Sequence, residues 1–557
     1  MNEAAKHILS PADVVLAYHT RTKHRLERYA PGPETLDWTA QPNPFREFAG
    51  SARILLPLST RRLDTPFAKL RDAKDAVPRP LSRESVGALL ELSMGLSAWK
   101  THGPDRWAVR CNPSSGNLHP TEAYVLCGQV PGLDDGLYHY VSRDHALEQR
   151  CQLDWASARP ADGALWIGLS SVHWREAWKY GERAFRYCQL DIGHAIGALR
   201  YAAGVLGWSL RVVEPRDGAT LARLLGLDRN EDFSGAEHEE PDLMLAVIPD
   251  AAASRSKRDT AARAMPTPTQ SDWRGRANVL DPHPMYHSPV IDEVAAATAA
   301  GPRRKPTASE VGYRPYPRLQ TAGDALAVDV IRRRRSAQQF DRKFTMNAGG
   351  FFHLLDCLLT RPTLPWDLWA YKARVHPLLF VHRVEGLAPG LYALPRHPGA
   401  ESSLRNGLHK DFLWRRVEHA PEHLPLFQLF LGDFRQIART LSCHQAIASD
   451  SCFSLAMLAE FGKLVSEEPW RYRQLHWEAG LLGQVLYLEA EGVGLSGTGI
   501  GCYFDDALHE ALGLHDERYR SLYHFTVGRA VADTRISTAA PYAERAALEL
   551  RNADHGG

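Results

Sequence analysis

The sequence predicts an α+β protein made of two similar sandwich domains in one chain. Three observations support this fold class: an internal repeat, a polar and basic stretch that divides the chain into halves of similar length, and strand patterns mixed irregularly with helical ones. Irregular mixing favours an α+β sandwich over a doubly wound parallel sheet.

The internal repeat aligns residues 189–227 with residues 476–514 without a gap. Matched residues keep a constant offset of 287 positions (480 − 193). Identities at unchanged spacing across a helix, a turn, a short strand and a second helix indicate a duplicated domain. Among the matched pairs are Gly193 with Gly480 and the acidic pair Asp191 with Glu478.

Hydrophobic periodicity predicts the main elements of each repeat. Residues 189–206 and 476–493 carry apolar residues and alanines at helical spacing, which predicts one long helix in each half. The runs Ala123–Cys127 and Leu378–Val381 predict strands. Each run is followed by a turn and a Gly-Leu-Tyr segment, which indicates an antiparallel neighbour.

Residues 251–320 differ in composition from the chain on either side. Their first part is small, polar and basic, and their last part is rich in proline and arginine, without a sustained apolar period. We therefore predict a linker or peripheral arm, flanked by domains at residues 1–250 and 321–557.

Composition excludes several functional classes. Sixty-six lysines and arginines against 65 aspartates and glutamates leave a net charge of +1, which gives no global attraction to nucleic acid or an anionic membrane. No apolar run is long enough to span a bilayer and no secretory signal is visible, so we expect a cytoplasmic protein. The eight cysteines are scattered without a CxxC pair, which predicts neither a disulfide framework nor a metal site.

The most specific segment is RCNPSSGNLHPTEAY at residues 110–124. Proline fixes one torsion, glycine permits close approach, and the Ser-Ser-Gly-Asn run offers hydroxyls, an amide and free backbone N–H groups. Such a loop suits the polar edge of a planar heterocycle. Taken alone, it equally suits an ordinary Ser/Asn turn before a strand.

Residues 110–124, followed by HWREAWKYGERAFRYCQLDIGHA at 173–195, resemble the nitroreductase-like flavoproteins, specifically the SagB-type dehydrogenases. These are FMN-dependent azoline oxidases of thiazole- and oxazole-modified peptide pathways. Residues 331–340, 480–514 and 523–536 also look like a nitroreductase domain. The resemblance implies two nitroreductase-like α/β sandwich domains that fold as an internal pseudo-dimer.

The resemblance also implies FMN at the interface, with a PSSxN loop from one domain and an RxS phosphate grip and a glycine-rich segment from the other. Here the first half keeps only the loop and the second half keeps only the grip, so we predict one composite FMN site and a vacant or degenerate second site. The cofactor-binding candidates are Arg110, Pro113, Ser114, Ser115 and Asn117 in the first half, and Arg332, Arg334, Ser336, Gly497, Thr498, Gly499, Ile500 and Arg535 in the second.

The arginines at 332–335 also suit a solvated basic helix end, and a surface role is equally open for Arg535. The stretch Gly497–Gly501 superficially matches a dinucleotide fingerprint. That fingerprint needs a preceding strand and a following helix, whereas this stretch follows a predicted helix. We expect its small residues to let the backbone lie against the flavin ring.

Lys179 and Tyr180 match the Lys-Tyr pair that azoline oxidases use in catalysis. Removing a carbon-bound proton requires an acceptor, and lysine serves when burial or a positive neighbour lowers its pKa. The alternative is an exposed helix lysine beside an interfacial tyrosine. The neighbouring Glu182, Arg183 and Arg186 are expected to form an ion-pair face on one helix.

We therefore predict an FMN-dependent oxidoreductase that dehydrogenates a heterocycle or a related unit of a peptide or small metabolite. An NAD(P)H-dependent reductase of nitro, quinone or ene substrates is the second hypothesis, and a flavin-free docking subunit is the third. Expected partners are the substrate and other enzymes of a biosynthetic cluster, with no nucleic acid and no membrane. An internal pseudo-dimer is compatible with a monomer or a homodimer.

Overall fold

A computed structural model gives the structure of the protein. It describes residues 9–72, 77–155, 163–213, 217–250, 253–254, 256–258, 269–299, 316–319, 323–369 and 371–545. Within these ranges, no helix has the length and apolar character needed to cross a membrane.

The described α-helices are distributed over both halves. They are α1 (Pro11–Arg21), α2 (Arg83–Ser93), α3 (His173–Tyr180), α4 (Ala184–Val205), α5 (Gly218–Leu225), α6 (Pro289–Thr298), α7 (Ala327–Arg333), α8 (Ala348–Asp356), α9 (Ala400–Gly407), α10 (Arg435–Leu441), α11 (Ala446–Asp450), α12 (Gly462–Glu467), α13 (Arg471–Gly492) and α14 (Asp505–Leu512).

The described strands form two large sheets and two small ones. They are β1 (Phe48–Ala49), β2 (Ala52–Leu55), β3 (Leu96–His102), β4 (Asp105–Arg110), β5 (Thr121–Gly128), β6 (Gly136–Val141), β7 (Ala146–Asp154), β8 (Ala164–Ser171), β9 (Ser209–Val212), β10 (Glu240–Ile248), β11 (Thr269–Ser271), β12 (Arg276–Ala277), β13 (Val375–Val381), β14 (Gly390–Ala393), β15 (Arg415–Arg416), β16 (Phe427–Leu431), β17 (Phe453–Glu460), β18 (Ser496–Ile500), β19 (Tyr519–Gly528) and β20 (Ser537–Ala539).

The two large sheets repeat one strand order. The first sheet contains the order β6-β5-β8-β10-β9, and the second contains the order β14-β13-β17-β19-β18. Neighbouring strands are antiparallel, and the predicted strands Ala123–Cys127 and Leu378–Val381 lie in β5 and β13, next to β6 and β14 as expected. The α+β class is therefore confirmed, and the repeated strand order is the one that a duplicated domain would give.

The long helices α4 and α13 pack against each other at the centre of the molecule, and the repeat explains why they fit. A Cβ atom added to Gly193 would lie 2.7 Å from the Cα of Gly480, and one added to Gly480 would lie 2.1 Å from the carbonyl oxygen of Leu190. Only glycine permits this backbone approach. The matched glycines thus form the contact between the two halves.

Both central helices begin earlier in the chain than the periodicity predicts. Their first turns carry buried arginines that each bind a carboxylate of the opposite half: Arg186 Nη1 donates to Asp505 Oδ1 at 2.8 Å, and Arg473 Nη1 donates to Asp242 Oδ1 at 3.0 Å. Apolar periodicity does not reveal charges that are neutralised across an interface.

Part of the predicted linker, residues 269–299, adds structure to the first half. Strand β11 extends the first sheet beside β7, and β12 pairs with β1. Helix α6 buries Ile291, Val294 and Ala295 and packs against α1. Most of the remaining predicted linker lies outside the described residues, so the domain boundaries stay a prediction.

The C-terminal segment of the second half crosses onto the first half. Strand β20 pairs with β3, which also pairs with β4. The hydroxyl of Tyr542 accepts from the backbone N of Leu96 at 2.9 Å and donates to the carbonyl of Ser142 at 2.7 Å. The two halves are therefore interlocked as well as packed.

The expectation of unpaired cysteines is wrong at one place. Cys443 and Cys502 form a disulfide, with their Cα atoms 5.9 Å apart and their positions separated by 59 in sequence. A pair so distant in the chain has no local spacing motif by which to recognise it.

Candidate active site between the two halves

The loop before β5 has a compact left-handed conformation. Gly116, Asn117 and His119 have φ values of 58°, 61° and 52°. The Asn117 amide is used within the loop, donating to the carbonyl of Ala108 at 2.9 Å and contacting His119 Nε2 through its oxygen at 3.0 Å. Gly116 is exposed and Ser115 is partly exposed on the outer side of the loop.

Two buried carboxyl groups, of Asp191 and Glu176, lie behind this loop. The backbone N of Ser115 and its hydroxyl both donate to Asp191 Oδ1, at 3.1 and 3.0 Å, and Ser114 Oγ lies 3.5 Å from Glu176 Oε1. Burial raises the pKa of Asp191 to about 7, although hydrogen bonds from the two serines oppose it. Burial and the charge of Asp191 raise the pKa of Glu176 well above its ordinary value.

Sequence reasoning did not assign these acids a role, although the repeat contained the signal. Glu478, the partner of Asp191 in the repeat, accepts from the backbone N of Arg374 at 3.0 Å and also binds the guanidinium of Arg396. Both acids thus hold the segment that precedes a matched strand. In the second half the Arg396 guanidinium also donates to Glu478, and the sequence has no Ser-Ser-Gly-Asn loop.

The buried Arg334 and the partly buried Arg335 follow α7 in the second half. Arg334 Nη2 donates to the carbonyl of Arg110 at 2.9 Å, its guanidinium carbon lies 5.1 Å from the Tyr487 ring centre, and burial lowers its pKa. Burial and the charge of Arg334 lower the pKa of Arg335 to about 10. Among the described residues, both guanidinium groups donate only to backbone carbonyls and none to a carboxylate, although the charge of Glu491 partly opposes the lowering of both pKa values. This basic pair suits an anion.

The glycine strand β18 lies beside these arginines. Tyr487 Oη links the two segments because it lies 2.8 Å from Ser336 Oγ and accepts from the backbone N of Gly499 at 2.9 Å. Thr498 Oγ1 donates to the carbonyl of Ala337 at 2.6 Å. The predicted phosphate grip and the predicted ring-facing strand are therefore adjacent.

Helix α4 brings the loop and the glycine strand together. His194, one turn beyond Asp191, lies with its ring centre 5.7 Å from that of Tyr487, and its Nε2 is 3.0 Å from the hydroxyl of Tyr523. A Cβ atom added to Gly499 would meet that same hydroxyl. Ser115 and Ser336 are thus connected through Asp191 and His194 of α4 and through Tyr487.

Lys179 and Tyr180 end α3 at the edge of this site. The Tyr180 hydroxyl would lie 2.6 Å from a Cβ atom at Gly116, so it touches the loop. Lys179 Nζ lies 5.3 Å from the Trp38 ring centre. Burial lowers the pKa of Lys179, opposed by the charge of Glu176, whereas burial raises the pKa of Tyr180.

Several sequence candidates lie at the margin of this arrangement. The Arg110 side chain donates to the carbonyl of Pro44 at 2.6 Å, and only its backbone oxygen contacts Arg334. Arg332 binds Thr60 and Glu91, and the 75%-exposed side chain of Arg535 binds Asp533. Pro113 is buried under the loop, and the side chain of Ile500 packs in the core of the second half.

The ion pairs expected on one helix face are instead formed with other segments. Arg183 and Arg186 are buried and bind Asp505 of α14, while Glu182 binds Arg21 of α1 at 2.5 and 2.7 Å. The helical spacing predicted partners along the same helix. The actual partners come from α14 and α1, which local spacing does not reveal.

The residues present fit FMN. The Arg334 Nε is buried without a hydrogen-bond partner among the described residues, so it remains available for a phosphate. Gly116 and Gly499 let the hydroxyls of Tyr180 and Tyr523 approach the backbone of the loop and of β18, where a side chain would clash. Half-exposed hydroxyl and backbone groups of the loop and β18 offer donors and acceptors for a planar ring.

Two curated proteins are similar to part of this chain. The chain is 28% identical over 177 residues to the trifolitoxin-processing protein TfxB of Rhizobium leguminosarum bv. trifolii, covering 28% of this chain and 42% of that protein. It is 24% identical over 155 residues to a candidate nitroreductase of Methanocaldococcus jannaschii, covering 26% of this chain and 75% of the relative. No family model matches the chain.

A solved structure matches nearly the whole molecule. The crystal structure of a candidate nitroreductase from Anabaena variabilis ATCC 29413 has a TM-score of 0.65 and 22% identity, covering 93% of this chain and 99% of the other. The chain therefore has a nitroreductase-like fold. The curated relatives support the SagB-type relationship that the sequence motifs indicated.

Proposed function

We propose that this protein is an FMN-dependent oxidoreductase of the SagB type, which dehydrogenates an azoline or related unit of a peptide or small metabolite. The observation that carries the proposal is the contact of Arg334, from the second half, with the carbonyl of Arg110, which precedes the loop of the first half. On the first side the Tyr180 hydroxyl lies against Gly116 of the loop, and on the second side Tyr487 joins Ser336 to the glycine strand. The nitroreductase-like fold supports an oxidoreductase. Similarity to a trifolitoxin-processing protein supports a role in peptide maturation.

In this proposal the second half holds the phosphate and both halves enclose the ring. Arg334, Arg335 and Ser336 bind the phosphate, where guanidinium groups form charge-assisted hydrogen bonds. The backbone of residues 114–117 and of β18 provides the polar edge for the ring. Bound FMN supplies the hydride acceptor.

Lys179 is proposed to take the carbon-bound proton of the substrate. Burial lowers its pKa, which increases the fraction of neutral amine that can accept a proton. Tyr180 stays protonated because burial raises its pKa, and its hydroxyl beside Gly116 is a donor for a substrate nitrogen.

The proposal is tested on the purified full-length protein by FMN content and by turnover of a thiazoline peptide. We expect one FMN per chain. Lys179→Ala should keep its FMN and lose kcat by about a hundredfold or more, the usual contribution of a positioned base. Lys463→Ala, at a lysine whose side chain is 87% exposed, is the matched control and should retain full activity.

Each alternative has its own result. Two FMN per chain would contradict the composite site, and full activity of Lys179→Ala would remove the proposed base. NAD(P)H-dependent bleaching without azoline oxidation would indicate a reductase. A colourless protein that does not bind added FMN would indicate a docking subunit.

A further inference from the structure

The N-terminal residues 18–46 form a strap along α3, the helix that carries the proposed catalytic pair. At its start, the Tyr18 hydroxyl donates to the carbonyl of Glu182 at 2.7 Å, and the backbone N of Glu182 donates to the carbonyl of Pro31 at 3.0 Å. At its end, Arg175 Nε donates to the carbonyl of Asn43 at 3.1 Å. The strap therefore follows the helix from Glu182 back to Arg175.

The strap is closely fitted where it passes the catalytic pair. A Cβ atom added to Gly181 would lie 2.2 Å from the Cα of Gly32, so the two backbones touch immediately after Tyr180. The Arg183 guanidinium donates to the carbonyl of Thr22 at 2.5 Å and to Asp505 at 3.1 Å, which ties the strap to the second half. These contacts fix the strap in place.

This strap holds an exposed indole beside Lys179. Trp38 is 60% exposed, yet its ring centre lies 5.5 Å from that of Trp178, nearly perpendicular to it, and 5.3 Å from Lys179 Nζ. Its turn is fixed because Asp37 accepts from the backbone N of Thr39 at 2.9 Å. A large apolar ring held towards water at a site edge is typical of a ligand-binding surface.

A second segment brings apolar side chains to the same helix. The Tyr286 hydroxyl donates to the carbonyl of Ala177, and its ring centre lies 5.0 Å from that of Trp174. The adjacent Met285 is 67% exposed. We call Trp38, Tyr286 and its chain neighbour Met285 the collar, because Trp38 and Tyr286 contact α3 from two different segments.

We propose that the collar binds a large apolar or aromatic side chain next to the unit that Lys179 deprotonates. This inference rests on the proposed function for the position of the reacting unit. An indole, a phenol ring and a thioether offer flat, polarisable contact area with few rotatable bonds, so they suit a side chain such as phenylalanine. A serine at that position would leave the collar exposed to water.

The test uses two synthetic thiazole peptides that differ only in phenylalanine or serine beside the ring, titrated calorimetrically into the full-length FMN-loaded protein. Wild type should bind the phenylalanine peptide about tenfold or more tightly, the gain from burying one large apolar side chain. Trp38→Ala should abolish most of this preference, and Trp38→Phe should retain part of it. Phe430→Ala, at a 47%-exposed ring of β16, is the control and should behave as wild type.

The outcomes separate the collar from the proposed reaction. The proposed role of the collar would be wrong if wild type did not bind either peptide or bound both equally. It would also be wrong if Trp38→Ala kept the full preference for the phenylalanine peptide. The corresponding thiazoline peptides test turnover separately. If the phenylalanine peptide bound more tightly but the thiazoline peptides were not oxidised, the proposed reaction would be wrong and the proposed role of the collar would be retained.

Discussion

Replacing Asp191 with asparagine should make the protein more stable at neutral and alkaline pH but not at acidic pH. Asparagine keeps an oxygen that accepts from the backbone N and hydroxyl of Ser115, while it removes a buried ionisable group. Asp191 is 1% exposed and accepts hydrogen bonds from the uncharged backbone N and hydroxyl of Ser115. Its ionised form is therefore stabilised less in the folded protein than in water.

The magnitude follows from the pKa difference. The pKa of Asp191 is about 7 in the folded protein against 3.8 ordinarily. Between these values the folded state binds a proton that the unfolded state does not, so stability falls as pH rises through this range. At 1.36 kcal/mol per pKa unit, the full cost is about 4 kcal/mol above pH 7, as an upper bound. Near pH 4 the cost is small because Asp191 is protonated when folded.

The assay is thermal unfolding of wild type and Asp191→Asn between pH 4 and pH 9. The measured quantity is the difference in unfolding free energy between the two proteins at each pH. Other titrating groups are common to both proteins and largely cancel, apart from Glu176, whose pKa is raised in part by the charge of Asp191. The variant should gain stability progressively from pH 4 to pH 7 and then hold a constant advantage. Asp411→Asn, at an 85%-exposed side chain, should show no such trend. A difference that is independent of pH would refute the reasoning.

Two further predictions concern the helix contact and the phosphate grip. Gly480→Ala should destabilise the protein by about 1–3 kcal/mol or more, measured by denaturant unfolding, because the new Cβ meets the Leu190 carbonyl oxygen at 2.1 Å. Gly349→Ala, where the new Cβ would lie 3.4 Å from Asn347 Oδ1, should not show this loss. Arg334→Met should raise the Kd of FMN by about ten- to a hundredfold through lost charge-assisted bonds. Arg333→Met, at a 60%-exposed side chain, should leave that Kd unchanged, and equal effects of the two changes would contradict the assignment.

The fold could be predicted from the sequence because it is a repeat with clear periodicity. Strands β5 and β13 and the two central helices follow from apolar patterns, and a constant offset identifies the duplication. The helix starts could not be predicted. They depend on Arg186 and Arg473, whose charges are neutralised by carboxylates far away in the chain.

The candidate site was predictable only where motifs are local. The loop residues and the Arg334–Ser336 segment are short motifs, whereas Asp191 and Tyr487 act through contacts with distant segments. The repeat marked Asp191 as matched to an acid, but hydrogen bonding to Ser115 is visible only in three dimensions. The Cys443–Cys502 disulfide could not be predicted for the same reason, because its two cysteines are far apart in sequence.

Fusion of two similar domains explains how one site can be lost while the other is kept. In a symmetric homodimer every chain must encode both the loop and the phosphate grip, since each site draws on both chains. In a fused chain each half is free to keep only one part.

The position equivalent to Tyr487 carries this argument further. Subtracting the offset of 287 places Arg200 there, and its guanidinium binds both oxygens of Asp367, at 2.8 and 2.9 Å. The Arg200 guanidinium is thus paired with the Asp367 carboxylate, whereas Tyr487 contacts Ser336 and Gly499. In the first half the charge of Arg200 is neutralised by Asp367, whereas in the second half Arg334 and Arg335 bind no carboxylate of the residues that the structure describes. This difference favours a single anion site per chain.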